Sequence, residues 1–120
     1  MGVVNHNAII ATTANGQSAG DMLRWIAGLQ SDYRSLFVSS GSWVNGYQTI
    51  VLVPDGSKEG WPDSMSGDDL RAQFRARLDR CEYDDGSSPW AWVEVGFGEF
   101  GQKVLRGNCK NVYSDAEYAE

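Results

Sequence analysis

The loop at 54–61, PDGSKEGW, has the residue types of a small anion-binding site. Gly56 permits the positive φ at which consecutive backbone N–H groups turn towards one point. Ser57 offers a hydroxyl, and Lys58 offers a positive charge for a phosphate or a carboxylate. The spacing differs from that of a Walker loop, GxxxxGK[ST]. The loop therefore predicts either an anion-binding turn that uses Ser57 and Lys58 or a purely structural turn between a strand and a helix.

Aromatic side chains form a second candidate site, since the chain has five tryptophans. The predicted set is Trp43, Tyr47, Trp61, Trp90 and Trp92. In the segment 90–97, WAWVEVGF, Trp90 and Trp92 alternate with the apolar row that contains Val93 and Val95. We therefore expect the two tryptophans on the opposite side of the strand from the valines, on an uncovered sheet face or at a dimer interface. Such a face can form a small second core, anchor a partner or stack a ligand.

His6 is the only histidine, and it lies in the sequence Asn5-His6-Asn7. An imidazole can act as a general base, but no Ser, Cys or carboxylate stands at a spacing that indicates a triad. The acidic residues between 63 and 85 also lack the spacing of a calcium-binding loop. We predict no catalytic residue, no metal site and no cofactor, and a small hydrolytic enzyme with His6 as its base remains the minor alternative.

Length, composition and charge restrict the class of protein. With 120 residues, 42% of them hydrophobic, the chain is expected to form one domain over 1–113, followed by a frayed acidic tail at 114–120. A net charge of −6 disfavours binding to nucleic-acid backbones, which depends on Lys and Arg contacts. No apolar segment approaches the ~20 residues of a membrane helix, and Cys81 and Cys109 are too few for a secreted disulfide framework. We expect a soluble, cytoplasmic protein with reduced thiols.

Apolar segments predict four main strands. The segments at about 6–12 and 47–54 show no alternation, so we expect both of their faces to be buried. Asn45-Gly46 between apolar residues predicts a hairpin that joins a strand at about 36–44 to the strand at 47–54. The segment 90–97 is the fourth strand, and Gly98–Gly101 is expected to turn into a short fifth strand around 102–106.

Apolar residues at helical spacing predict two helices, at about 18–31 and 67–81, each opened by a Ser-x-x-Asp capping pair. The resulting order of strand, helix, strand, strand, helix, strand is that of the split βαβ, or ferredoxin-like, fold. This is an α+β fold in which two helices cover one face of an antiparallel sheet whose first and third strands are central. The other face is left for a partner, a second copy of the chain or a carboxy-terminal hairpin.

Three segments resemble small proteins of tailed bacteriophages: NHNAIIATT at 5–13, PDGSKEGW at 54–61 and YDDGSSPWAWVEV at 83–95. Together they cover about a quarter of the chain. The resemblance implies a phage-encoded accessory protein that works in the bacterial cytoplasm. By analogy, proteins of this kind often block or sequester a component of the host, which includes counter-defence roles.

These observations together predict a non-enzymatic binding protein that blocks a host protein through an aromatic face rimmed by carboxylates. The alternative ligand is a nucleotide-like small molecule, stacked on Trp61 or Trp90 with its phosphate at Ser57 and Lys58. A homodimer, formed through the edge strand 90–97 or through the aromatic face, is compatible with either hypothesis.

Overall fold

The computed structural model describes residues 5–41, 44–56, 62–99 and 101–109, with side chains from residue 65 onwards in the third range. The described residues contain five strands and three helices, which confirms the predicted mixed α+β class. In chain order they are β1 (Asn5–Thr13), α1 (Gly16–Ala27), α2 (Ser31–Arg34), β2 (Phe37–Ser39), β3 (Gln48–Leu52), α3 (Pro62–Arg80), β4 (Trp90–Gly98) and β5 (Gly101–Gly107).

The strands form one antiparallel sheet in the order β2-β3-β1-β4-β5. Ile9 in β1 pairs with Leu52 in β3 on one side and with Glu94 in β4 on the other. The first and third strands are therefore neighbours in the interior of the sheet, as the sequence predicted. β2 and β5 form the two edges.

α1 and α3 cover one face of this sheet and bury the core against it. In α3, Leu70, Phe74 and Leu78 recur at i, i+4 and i+8, so they lie on one side of the helix, and all three are fully buried. In α1, Met22 and Ile26 lie four residues apart on one side of the helix, and both are buried. The sheet contributes Ile9, Ala11, Ile50, Leu52, Trp90 and Trp92 to this core. We call this side of the sheet the helix side.

β1 and β3 each bury only one face completely, so the prediction that both faces would be buried was wrong. Ile9 and Ala11 are fully buried, whereas Ile10 between them is 38% exposed. The residues on the second face of β1 and β3 are almost as apolar as those on the helix side. The sequence therefore shows no alternation, although the environment alternates along each strand.

Trp90 and Trp92 lie on the helix side, so their predicted place on the uncovered side was wrong. They are 2% and 6% exposed, and β1 places the small residues Thr13 and Ala11 directly opposite them. These small neighbours leave room for two indoles under the helices. Alternation in β4 separates the indoles from the valines, but it does not say which row faces the helices.

Both predicted helices begin earlier in the chain than expected. α1 begins at Gly16 instead of 18, since the side chain of Asn15 accepts a hydrogen bond from the N–H of Ser18 at 2.9 Å. α3 begins at Pro62 instead of 67, and proline suits a first helical position because it lacks an N–H. The short helix α2 was not predicted. The two Ser-x-x-Asp pairs therefore do not mark where the helices start.

The predicted hairpins are present. Asn45 and Gly46 both have positive φ, at 59° and 72°, and the N–H of Tyr47 donates to the carbonyl of Val44 at 3.3 Å. β2 is shorter than predicted, covering only Phe37–Ser39. At the other end of the sheet, Gly101 has a φ of 102° where the chain turns from β4 into β5.

The loop before β4 is closed by Asp85. Its carboxylate accepts hydrogen bonds from the hydroxyl of Ser87 at 2.6 Å and from the N–H of the same residue at 2.9 Å. The hydroxyl bond, followed by the backbone bond, lowers the pKa of Asp85 below its usual value, because both favour the charged form. The Thr13 hydroxyl then donates to the carbonyl of Pro89 at 2.6 Å and holds the loop against the end of β1.

Arg71 ties the end of β3 to α3. It is 7% exposed, and its guanidinium forms an ion pair with Asp55 at 3.3 Å and another with Asp68. Gly67 makes the approach of Asp55 to the helix possible, because a Cβ on this residue would overlap the Asp55 carboxylate. The glycine inside α3 therefore has a packing role.

We predict that Gly67→Ala lowers the free energy of unfolding by about 1–3 kcal/mol, because the new methyl group displaces Asp55 from Arg71. Gly20→Ala in α1 is the matched control, since a Cβ there meets only the flexible end of Arg24 at 3.9 Å. The control should stabilise the protein by about 0.5–1 kcal/mol, the ordinary gain of alanine over glycine in a helix. Urea unfolding measures both values, and equal effects of the two substitutions would contradict the packing role.

Glu94 is a carboxylate buried on the helix side of β4, where it is 1% exposed. Its Oε1 atom accepts a hydrogen bond from Arg75 of α3 at 2.8 Å and another from Arg106 of β5 at 2.7 Å. Its Oε2 atom is buried and has no hydrogen-bond partner among the described residues. A buried carboxylate is costly unless it is paired, so the two arginines offset that cost and hold α3 and β5 against β4.

We predict that Glu94→Gln lowers the free energy of unfolding by about 3–5 kcal/mol, because it removes the charge that two guanidinium groups share. Arg106→Gln should lower the free energy of unfolding by less, since the Glu94–Arg75 ion pair remains and the Arg106 side chain is already 50% exposed. Chemical denaturation of both variants tests this order. A larger loss for Arg106→Gln than for Glu94→Gln would show that Glu94 is not the centre of the network.

No described helix is long and apolar enough to cross a membrane. Cys81 and Cys109 are both free thiols.

Candidate functional site

The structure separates the residues of the predicted site. Four of them lie outside the described residues, namely Trp43, Ser57, Lys58 and Trp61. The anion-binding loop therefore stays a prediction. Tyr47 is 53% exposed beside the hairpin turn, and His6 is half-buried at the start of β1.

Trp90 and Trp92 belong to the core instead of to a surface. Both indole N–H groups are buried without a hydrogen-bond partner in the described part of the chain. An indole that is 2% or 6% exposed cannot stack on a ligand unless the helices move away from the sheet. A surface site must therefore be built from other residues.

The second side of the sheet is not covered by any of the three described helices, and we call it the uncovered face. The strand register assigns thirteen side chains to it: His6, Ala8, Ile10, Thr12, Val38, Thr49, Val51, Ala91, Val93, Val95, Phe97, Gln102 and Val104. None of them is Asp, Glu, Lys or Arg. A sheet face that is solvated in the working protein normally alternates with polar and charged residues, so this face has the composition of a buried surface.

Large apolar side chains are exposed on four of the five strands of the uncovered face. Val104 is 67% exposed in β5, Val38 is 56% exposed in β2, Phe97 is 44% exposed in β4 and Ile10 is 38% exposed in β1. With about 4.8 Å between strands and about 3.3 Å per residue, strands of 9, 3, 5, 9 and 7 residues give the face a projected area of roughly 500 Å². This is smaller than, but of the same order as, the ~800 Å² of accessible surface that each partner contributes to an ordinary protein–protein interface.

His6 lies on this uncovered face and packs on an aromatic ring. Its imidazole is 5.2 Å from the ring of Phe97, measured between centroids, with the two planes tilted by 42°. Within the described chain it makes no hydrogen bond to a Ser, a Cys or a carboxylate. The geometry gives this histidine a packing partner and does not give it the partner that a general base requires.

A cleft of about 360 Å³ lies where β1, β4 and β5 end, and no helix residue lines it. We call it the amide cleft, because Asn5, Asn7 and Gln102 line it together with Lys103, Gly96 and Leu105. Asn7, Gly96 and Lys103 are paired across the three strands and share the helix side. A Cβ on Gly96 would lie 3.2 Å from Leu105 and 3.5 Å from the Asn7 amide oxygen, so the glycine keeps the floor of the cleft open.

The polar side chains of the amide cleft are not used by the fold. Asn5, Asn7, Gln102 and Lys103 make no side-chain hydrogen bond or ion pair with any described residue. Glu94 lies in β4 two residues before Gly96, and its carboxylate pairs with both Arg75 and Arg106. Among the described residues that line the cleft, Lys103 is positively charged and none is acidic, in a chain whose net charge is −6.

The sequence pattern predicted neither surface. The alternation in 90–97 places Val93, Val95 and Phe97 on one side of the strand, but it does not show that this side faces away from the helices. Asn5 and Asn7 share a face by strand period, but their neighbour Lys103 is almost one hundred positions away. Only the pairing of the strands brings these amides and this cation together.

Among the described residues, no three of His, Cys, Asp and Glu lie close enough together to hold a metal ion. Comparison of the chain with family models, with curated proteins and with solved structures found no match.

Proposed function

We propose that the protein is a phage-encoded, non-enzymatic binding protein that blocks a host protein in the bacterial cytoplasm. The partner docks on the uncovered face. The observation that carries this proposal is a sheet face that extends over five strands without one charged side chain and leaves Val38, Phe97 and Val104 largely exposed. The contact is mainly aliphatic, with one phenyl ring from Phe97, and differs from the indole-rich contact that the sequence suggested.

We also propose that β1 to β4, with α1 and α3, form a ferredoxin-like split βαβ unit that β5 extends at one edge. The order β2-β3-β1-β4, the antiparallel pairing and the burial of both helices on one side support this arrangement. In such a unit the side without helices is free for a partner.

The size and shape of the uncovered face favour a protein over a small molecule. Small ligands bind in concave pockets that enclose most of their surface. The uncovered face instead presents side chains along the whole width of the sheet. Covering it removes apolar surface from water, which contributes roughly 25 cal/mol for each Å².

Charge favours a basic partner over a second copy of the chain. The chain carries a net charge of −6, and its described acidic residues on the helices and loops, such as Asp21, Asp69 and Asp84, are exposed. A second copy carries the same charge and is repelled, whereas a partner with basic residues around an apolar patch is attracted. The net charge of the chain therefore favours a basic host protein as the partner of the uncovered face.

We predict that Val104→Lys weakens binding of the partner by about tenfold or more, because a lysine ammonium must be desolvated in an apolar contact and repels a basic surface. Val38→Lys, at the opposite edge of the sheet, should have the same effect. Ala76→Lys adds the same charge on the exposed side of α3 and serves as the control. All three positions are exposed, so the melting temperatures should stay close to that of the native protein.

A photo-crosslinking side chain at position 104, with one at position 76 as the control, identifies the partner in a bacterial lysate. Support requires that the crosslinked protein be purified, bind with defined stoichiometry in calorimetry, and lose affinity with Val104→Lys but not with Ala76→Lys. Crosslinks between copies in the purified protein would assign the face to a homodimer instead. Equal crosslinking from both positions, or none from position 104, would overturn the proposal.

A further inference from the structure

We infer that the amide cleft is a second binding site, for a small organic anion of metabolite size. This site lies at the end of the sheet and is lined by Asn5, Asn7, Gln102 and Lys103. The cleft meets the uncovered face at Phe97 and Gln102, whereas the surface proposed for the protein partner continues across the sheet to Val38 of β2.

The volume and the lining of the cleft suit a small polar ligand. Its volume of about 360 Å³ lies in the range of roughly 300–1,000 Å³ that small-molecule sites occupy. Each of the three amides carries both a donor and an acceptor. Asn5 and Asn7 lie on the helix side and Gln102 on the opposite side of the sheet end, so a ligand at this end can hydrogen-bond amides from both sides. Because none of these groups has a partner in the described chain, a ligand gains their hydrogen bonds without breaking any within the protein.

Lys103 supplies the positive charge for the anionic group. It makes no ion pair with a described residue, and none of the described residues that line the cleft is acidic. The buried carboxylate of Glu94 is already engaged by two arginines. A phosphate or carboxylate at Lys103 therefore meets an unpaired positive charge.

A β-bulge builds the apolar wall of the cleft. Glu94 pairs with Arg106 and Val95 pairs with Val104, so Leu105 is an extra residue in β5 without a partner in β4. The side chain of Leu105 lies next to Gly96, which forms the floor of the cleft. Bulges often direct a side chain into a binding site, and here the bulge combines an apolar contact with the polar groups of β1.

Isothermal titration calorimetry with AMP and with citrate tests the inference, because the two probes carry a phosphate and carboxylates, respectively. We expect at least one of them to bind the full chain. Lys103→Gln should weaken that binding by about tenfold or more, since it removes a charge-assisted contact. Arg80→Gln removes one exposed positive charge from the end of α3 and should change the affinity by less than roughly twofold.

Gly96→Val provides a second test, because the larger side chain fills the cleft without removing a charge, and it should also abolish binding. Lys103 is exposed and unpaired, so Lys103→Gln should keep the native melting temperature even if Gly96→Val lowers it. Absence of heat with both probes, or an equal loss with Arg80→Gln, would overturn the inference. Val38→Lys should leave probe binding intact while it weakens partner binding, so failure of one proposal can be distinguished from failure of the other.

Discussion

The pairing of β1 with β3 on one side and with β4 on the other is the interaction on which the rest of the structure depends. Backbone hydrogen bonds along β1 join the hairpin of β2 and β3 to the hairpin of β4 and β5. The same register decides which residues reach the helix side and which reach the uncovered face. A shift by one residue would exchange the two sets, so core and surface are specified together.

Covering only one side of the sheet gives its two sides different roles. On the helix side, Phe74 and its neighbours are removed from water, and each large apolar side chain there contributes about 1.5–3 kcal/mol. On the uncovered face the same kind of side chain remains partly in water. The free energy of burying Val38, Phe97 and Val104 is therefore still available to a partner. Their lack of charge limits the cost of desolvating this face.

Charge is distributed so that the two proposed sites differ in chemistry. The uncovered face has no Asp, Glu, Lys or Arg side chain, whereas Arg75, Arg106 and Lys103 all lie on the helix side. Glu94 pairs with the two arginines and holds β5 in place, and β5 contributes both Lys103 to the amide cleft and Val104 to the uncovered face. One edge strand thus serves both surfaces.

Local chemistry alone determined the strand and helix segments and the hairpin at Asn45-Gly46, because positive φ and apolar periodicity depend only on neighbouring residues. It did not determine which side of β4 faces the helices. That choice depends on Ala11 and Thr13, which make room for Trp92 and Trp90 from almost eighty positions away. It also did not predict the amide cleft, whose polar groups come from both ends of the chain. Long-range strand pairing decides both features, and this pairing cannot be predicted from any one short segment of the sequence.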